Sequence, residues 1–555
     1  MNPTARALVH QWAAFAARPD LVAGTTLQLL RGYGDITTQL ISRSLGLRPE
    51  SEEAQPGADR TFSDPAWREN PWFDAWRKAY EATARVMMDA SERTAGLDDA
   101  ERRKVQFFTR QTLAALTPAN FPWSNPVVLR EALESNGATL MRGLRNLARD
   151  IDPASGRLRL SMSDESAWKV GSNLATTPGK VVWQNDLMQL IQYAPTTERV
   201  ARRPLLIIPP WLNKYYILDL QPENSMVRWL VEQGHTVFLI SWVNPDARHA
   251  GKGLEDYLLE GPIEALDVIR RATGEREVNA IGYCLGGILL ACAAAWLAAR
   301  GERRIRSMTL LTALLEYSDV GDIRAFVDEA ELESLERSAA GKGYIPGDGV
   351  AWSFRMLRPG DLIWSFWIDY YLRGRERRPF DLLYWNADAT NMPLKAHLYF
   401  MRRMYIENRL QEPGGITLAG EPIDVSAVET PAYVVGTRED HIAPWRGVWR
   451  SASLLSGPVR FVLGESGHIA GIVNAPSRSK YGYQVTSRLG RDPDAWLAAA
   501  RAHAGSWWPD WQRWLARHAG GEVAARVVGG RRLPAIEDAP GSYVMRRINA
   551  TPASS

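Results

Sequence analysis

Gly282-Tyr283-Cys284-Leu285-Gly286 has the pattern G-x-S-x-G with cysteine where serine usually stands. VNAI before it reads as a strand and GILLACAAAWLAA after it as a helix. In that context the pentapeptide becomes a sharp turn that exposes a nucleophile. The flanking glycines remove side chains that would clash in so tight a turn. The following helix aims the positive end of its dipole at the sulfur, which favours the thiolate. Its first amide, on Leu285, is placed to donate to an oxyanion. Cys292 lies further along the same apolar helix and reads as a packed core thiol. A nucleophile needs a base, and the chain has only eight histidines: 10, 235, 249, 397, 441, 468, 503 and 518. A triad built on such a turn runs nucleophile, acid, histidine. His468 meets that order in the loop ESGHIAG, directly after the strand-like VRFVLG. The acid falls in TREDHIAP, after the strand-like AYVVG, where Asp440 is preferred over Glu439 and His441 is the lesser candidate for a base. His503 and His518 lie in a Trp-rich stretch read as helical and structural. An acyl-cysteine keeps the activation of a thioester donor, so its acyl group can pass downhill to an alcohol. Cysteine therefore favours acyl transfer from a thioester, with hydrolysis on the same fold as the alternative.

These three residues need a sheet to hold them. Short apolar runs alternate with helical stretches: PLLIIPP (204–210), HTVFLISW (235–242), VNAIGY (278–283), SMTLLTAL (307–314), AYVVGT (432–437) and VRFVLG (459–464). Such alternation implies βαβ units and a mostly parallel sheet, an α/β class. Ligands bind at the carboxyl ends of such strands, where Cys284, Asp440 and His468 all fall. Residues 1–165 read as a helical N-terminal region, broken at Pro49–Arg60. Residues 166–555 read as the catalytic domain. Between about 315 and 430 the alternation lapses into an aromatic, mostly helical stretch, expected to form a cap over the sheet. The tail after about residue 528 reads as irregular.

Composition narrows the field. Lys plus Arg against Asp plus Glu is 66 − 63 = +3 in 555 residues, no basic excess to suggest nucleic acid. Two cysteines exclude a disulfide framework and suggest a reducing compartment, the cytoplasm. No Cys/His cluster has metal-ligand spacing. The N-terminus lacks the apolar core of an export signal. Val278–Ala299 carries no charge, but it reads as strand, turn and Ala-rich helix, and no transmembrane segment is expected. Tryptophan is abundant, 22 of 555 residues.

At these residues the chain resembles the polyhydroxyalkanoate synthases, most of all the single-subunit class I enzymes. The resemblance spans roughly 60–545. It rests on PGKVVWQNDLMQLIQYAP, PPWLNKYYILDLQPENS, GYCLGG, RPGDLIWSFWIDYYLRG, PFDLLYWNADATNMP, EDHIAPW, SGHIAGIVN and HAGSWWPDWQRWL. It implies an α/β-hydrolase fold with a helical N-terminal region and a cap. It implies that Cys284 carries the growing acyl chain, with Asp440 and His468 as its partners. It also implies a second oxyanion amide on Leu212 of PPWLNKYY. The expected reaction takes (R)-3-hydroxyacyl-CoA, releases CoA and extends a polyester, with no cofactor and no metal. Asp440 would either orient His468 or help deprotonate the substrate hydroxyl. Lys214, Arg402 and Arg403 are candidates for CoA phosphate contact. The resemblance further implies a homodimer on the surface of cytoplasmic polymer granules, with phasin-type granule proteins as candidate partners and the N-terminal helices in contact. The rival readings are a cysteine thioesterase, esterase or depolymerase of the same fold, and a non-catalytic granule coat.

Overall fold

The computed structural model describes residues 3–47 and 60–548, apart from 95, 154–155, 157, 159, 161, 479 and 531–532. The break expected at Pro49–Arg60 lies outside the described residues, save Arg60. The chain divides into two compact units, Met1–Asp164 with Trp352–Arg378, and Glu165–Ala351 with Pro379–Ser555.

The first unit is helical, with its principal helices at Pro3–Ala16, Pro19–Ser44, Pro71–Arg93, Asp99–Leu116, Pro126–Glu134 and Ala138–Asp150. Their starts are written in the sequence. Asn70 and Asn125 cap the two helices that begin with proline at 71 and 126, and Asp98 forms a capping box with Glu101. Trp352–Arg378, from within the stretch read as a cap, belongs to this unit. Trp367 Nε1 donates to the Asn120 carbonyl at 3.0 Å, the Tyr371 hydroxyl to Asp150 at 2.7 Å and Arg373 Nε to Glu131 at 2.9 Å. A Cβ on Gly143 would stand 2.0 Å from the Tyr371 carbonyl oxygen, so only glycine allows this approach.

The second unit is built on one sheet. In chain order its strands are β1 (Gly179–Gln184), β2 (Met188–Tyr193), β3 (Leu205–Ile208), β4 (Val237–Trp242), β5 (Val278–Tyr283), β6 (Ile305–Leu311), β7 (Ala432–Thr437), β8 (Val459–Gly464), β9 (Tyr483–Val485), β10 (Arg501–His503) and β11 (Glu537–Asp538). Their spatial order is β10-β9-β8-β7-β6-β5-β3-β4-β2-β1-β11. The pairs from β4 through β8 are parallel, and the flanking pairs are antiparallel. β3, β4 and β5 are buried along their whole length, which is why their sequences are nearly unbroken apolar runs. The chain runs from β3 to β4 on one side and returns to β5 on the other. The order therefore reverses at β3, and a crevice opens at the carboxyl ends of β3 and β5.

All six expected strands are present. The Val278–Ala299 run is β5, a turn and the helix Leu285–Ala299, whose residues are buried from 285 to 297. Among the described residues no helix is long and apolar enough to cross a membrane. The share of 315–430 in this unit includes helices Glu329–Ala339 and Leu394–Phe400 and a hairpin, Ile416–Leu418 against Glu421–Ile423. His503 differs from its expected helical setting. It ends edge strand β10 opposite Tyr483, because the helix starts only at Trp508.

Candidate active site

Cys284 stands between β5 and the helix Leu285–Ala299 with φ 52° and ψ −119°, a conformation that costs a non-glycine residue energy and persists only where its surroundings enforce it. Here they do. The Cys284 N–H donates to the Leu311 carbonyl at 2.8 Å, and its own carbonyl accepts from Gly287 at 2.9 Å and Ile288 at 3.2 Å. The glycines allow the close packing. A Cβ on Gly282 would lie 2.4 Å from Gly287 Cα, and one on Gly286 2.0 Å from the Ile208 carbonyl oxygen. The second contact sets the first helical turn against the exit of β3, whose loop carries Leu212. The two amides expected as oxyanion donors, on Leu285 and Leu212, thus issue from segments in backbone contact. Gly286→Ala is expected to lower the melting temperature by several degrees, equivalent to about 1–3 kcal/mol of overpacking. Gly251→Ala, where a Cβ meets nothing within 4 Å, should leave it unchanged in the same thermal scan.

Asp440 and His468 come together at the ends of β7 and β8. His468 Nδ1 lies 2.7 Å from Asp440 Oδ2. Asp440 Oδ1 accepts the N–H groups of Ile442 and Ala443, each at 2.9 Å, while the Thr437 hydroxyl approaches Oδ2 at 3.3 Å. Glu439 is exposed, and its N–H donates to the Ser466 carbonyl at 2.9 Å, tying the acid loop to the histidine loop. His441 is half-buried in the same turn, and it is His468 that meets the carboxylate. With Nδ1 on Asp440, the opposite ring nitrogen of His468 is the one available to the Cys284 side chain, whose charge is felt at the ring.

Burial alone would lower the His468 pKa. The Asp440 charge and hydrogen bond, with the Cys284 sulfur, outweigh it and raise the ring to about 10. A raised histidine stabilises the fold fully below its unfolded value near 6.5 and loses that contribution as pH rises through the folded one. The melting-temperature gap between wild type and His468→Gln is therefore expected to be widest at pH 6 and to narrow steadily towards pH 10. A gap that does not change with pH would contradict this coupling. Cys292 contrasts with Cys284: it is fully buried, and burial pushes its thiol up to about 12.

Several groups that the sequence left without a role position this set. The Tyr283 hydroxyl donates to the His468 carbonyl at 3.1 Å, and its ring stacks on the imidazole at a centroid distance of 5.6 Å. The residue before Cys284 thus holds His468 in place. The tryptophans of SWWPDW are wholly buried. Trp507 and Trp508 donate through Nε1 to the carbonyls of Gly471 and Ile472, both at 2.9 Å, just beyond His468. Trp511 Nε1 reaches the Thr309 hydroxyl on β6 at 2.9 Å. The run HAGSWWPDWQRWL marked these tryptophans in the sequence but not the carbonyls they meet.

The three cations expected at CoA phosphates are otherwise engaged. Lys214 is buried and donates to the carbonyls of Val544, at 2.7 Å, and Arg546, and burial lowers its pKa to about 8. Arg402 pairs with Glu329 at 3.0 Å and Arg403 with Glu407 at 2.6 Å.

Residues 58–230 match the family model described as the N-terminus of poly-beta-hydroxybutyrate polymerase (PhaC), and residues 203–475 match that of the alpha/beta hydrolase fold. Among curated proteins, the poly(3-hydroxyalkanoate) polymerase subunit PhaC of Rhizobium meliloti is 47% identical over 94% of this chain and 85% of its own. The poly(3-hydroxyalkanoate) polymerase of Methylorubrum extorquens is 44% identical over 95% of this chain and 87% of its own. The PhaC subunit of Cupriavidus necator is 44% identical over 89% of this chain and 84% of its own.

Proposed function

The chain belongs to the poly(3-hydroxyalkanoate) polymerases, acyltransferases that build a hydroxyalkanoate polyester, and on that premise we propose that it works through an acyl-Cys284 intermediate loaded from (R)-3-hydroxyacyl-CoA. The observation that carries this reading is the Asp440–His468 bond at 2.7 Å, beside a cysteine held in a strained turn at a helix N-terminus.

The opposite ring nitrogen of His468 already holds the proton given up by Cys284, as the raised ring favours, and the thiolate attacks the thioester carbonyl. The Leu285 and Leu212 amides hold the oxyanion. Collapse expels the CoA thiolate, which leaves with the proton from His468. The 3-hydroxyl of the next unit then gives its proton to His468 and attacks the acyl-Cys284 carbonyl. A new ester forms and the cysteine is freed. Asp440 holds the imidazole in the tautomer that performs both transfers. The chemistry needs no metal or cofactor, because CoA arrives with the substrate and leaves as product.

Purified protein given 3-hydroxybutyryl-CoA is expected to release CoA and leave insoluble polyester. CoA with only free 3-hydroxy acid would make the chain a hydrolase, and no turnover with any acyl length would favour a coat protein. We place the enzyme in the cytoplasm, as a homodimer on the polymer granule, with phasin-type proteins as further partners. Apolar side chains left open on the N-terminal unit support such a contact surface: Trp12, Leu30, Trp72 and Trp123 are 56–64% exposed. Deleting residues 1–60 is expected to cut sedimentation with polymer granules several-fold. Unchanged sedimentation would remove the helices Pro3–Ala16 and Pro19–Ser44 from the contact.

A further inference from the structure

Two buried hydroxyls in the segment that leaves β6 have no hydrogen-bond partner among the described residues, Thr312 Oγ1 and the Tyr317 phenol. Both residues are essentially inaccessible, at 1% and 0%. Buried hydroxyls are normally satisfied, and valine or phenylalanine would fill the same space without the cost of an orphaned polar atom.

Their position is specific. β5 and β6 are parallel with Tyr283 opposite Leu311, so Thr312 comes abreast of Cys284, whose N–H donates to the Leu311 carbonyl at 2.8 Å. Thr312 has φ 45°, a true outlier for a β-branched residue and the kind of strain that gathers at working sites. Its N–H is pinned to the Val435 carbonyl at 2.8 Å. Tyr317 packs in the same apolar cluster as Cys284, its ring edge-on to Tyr405 at 4.9 Å. Its N–H donates to Asn408 Oδ1 at 2.8 Å. Arg324 Nη1 donates both to its carbonyl, at 3.1 Å, and to that of Tyr405, at 2.7 Å. The backbone is fixed and the hydroxyl is spare. Burial first, then Tyr405, Cys292 and Cys284, raise the phenol well above its ordinary pKa, so it stays a neutral donor.

Under the acyl-Cys284 reading, the carbonyl oxygen of the acyl group has the Leu285 and Leu212 amides and the transferred proton has His468. One polar atom of the acyl unit then remains without a partner, the 3-oxygen. We infer that Thr312 and Tyr317 bind that 3-oxygen and make the site selective for 3-hydroxyacyl groups over acyl groups lacking the hydroxyl. A site built to hydrogen-bond a substrate hydroxyl rejects the analogue without it, because its own polar groups are then left unpaired.

The inference rests on the acyl-Cys284 reading and is tested on the first turnover, where no elongation is needed. CoA release in that turnover is compared for 3-hydroxybutyryl-CoA and butyryl-CoA, in wild type and in the Thr312→Val/Tyr317→Phe double variant. The variant is expected to lose about tenfold or more of the preference for the hydroxylated substrate. Loading from butyryl-CoA should be unchanged or faster, with a melting temperature no lower than wild type. An unchanged ratio would overturn the inference, and so would equal slowing on both substrates with a lowered melting temperature, the mark of a structural role. Should the double variant not fold, Tyr317→Phe alone is judged by the same ratio. If wild type releases CoA from neither substrate, it is the acyl-Cys284 reading itself that fails.

Discussion

Cys284→Ala is expected to remove CoA release from 3-hydroxybutyryl-CoA by at least about four orders of magnitude while leaving the fold intact, because knocking out a nucleophile costs about as much as losing the whole triad. The substitution keeps the Cβ at the strained turn, where φ is 52°. The backbone bonds to Leu311, Gly287 and Ile288 do not involve the sulfur. The circular dichroism spectrum should therefore match wild type, with the melting temperature lowered only by the loss of the sulfur's pull on His468. Residual polymer formation above this level would move the acyl group to another residue, and Cys292 is no substitute, being fully buried with its thiol pushed up to about 12. Cys284→Ser sharpens the argument. Serine can be acylated, but the product is an oxygen ester, and its transfer to another hydroxyl has little driving force. The serine variant is expected to trap one acyl unit per chain, visible as a stable mass increment on the intact protein, and to make no polyester. Polymer at near-wild-type rate from the serine variant would show that thioester activation is not what the cysteine supplies.

The strands that lead to Cys284, Asp440 and His468 were legible because each is a largely apolar run, buried throughout in β5 and β7 and over its last four residues in β8. Their order in the chain then constrained which histidine and which acid could meet Cys284. What lay hidden was what depends on pairing at a distance. β2 is wholly buried, yet its sequence, Met188–Tyr193, sets two glutamines among its apolar residues. Gln189 is satisfied by Gln184 at 2.7 Å and by Ser542 at 3.1 Å, the latter more than three hundred residues away. Nothing local announces such partners. Trp352–Arg378 likewise reads as one more aromatic helical piece of a cap. Its place with the N-terminal helices is decided by Asn120, Glu131, Asp150 and the bare backbone at Gly143. The tryptophans near the C-terminus could be counted but not placed, since their role is to cap the carbonyls of Gly471 and Ile472. The orphaned hydroxyls of Thr312 and Tyr317 could not be foreseen at all, because a missing partner is a property of the folded state.

Asp440→Asn is expected to slow the first acylation of Cys284 by about 10³–10⁴-fold and chain elongation by a similar factor. The geometry underlies that equality. Both carboxylate oxygens are committed, Oδ1 to the amides of Ile442 and Ala443 and Oδ2 to His468 Nδ1 at 2.7 Å, with the Thr437 hydroxyl nearby. The carboxylate is fully shielded, with 0% of its side chain exposed. So placed, Asp440 can act on the imidazole and has no free lone pair for a substrate hydroxyl. Asparagine keeps the shape but would turn an N–H towards Nδ1, favouring the tautomer with its proton on the nitrogen that must accept the cysteine's. Acylation and elongation both use that nitrogen, so both should fall together. The rival role, in which Asp440 deprotonates the incoming 3-hydroxyl, predicts a different signature: a normal burst of one CoA per Cys284, followed by a stalled acyl-enzyme. Rapid-quench measurement of the CoA burst in the asparagine variant separates the two. A full burst at wild-type rate would reassign Asp440 to the hydroxyl and leave His468 to activate Cys284 without its carboxylate.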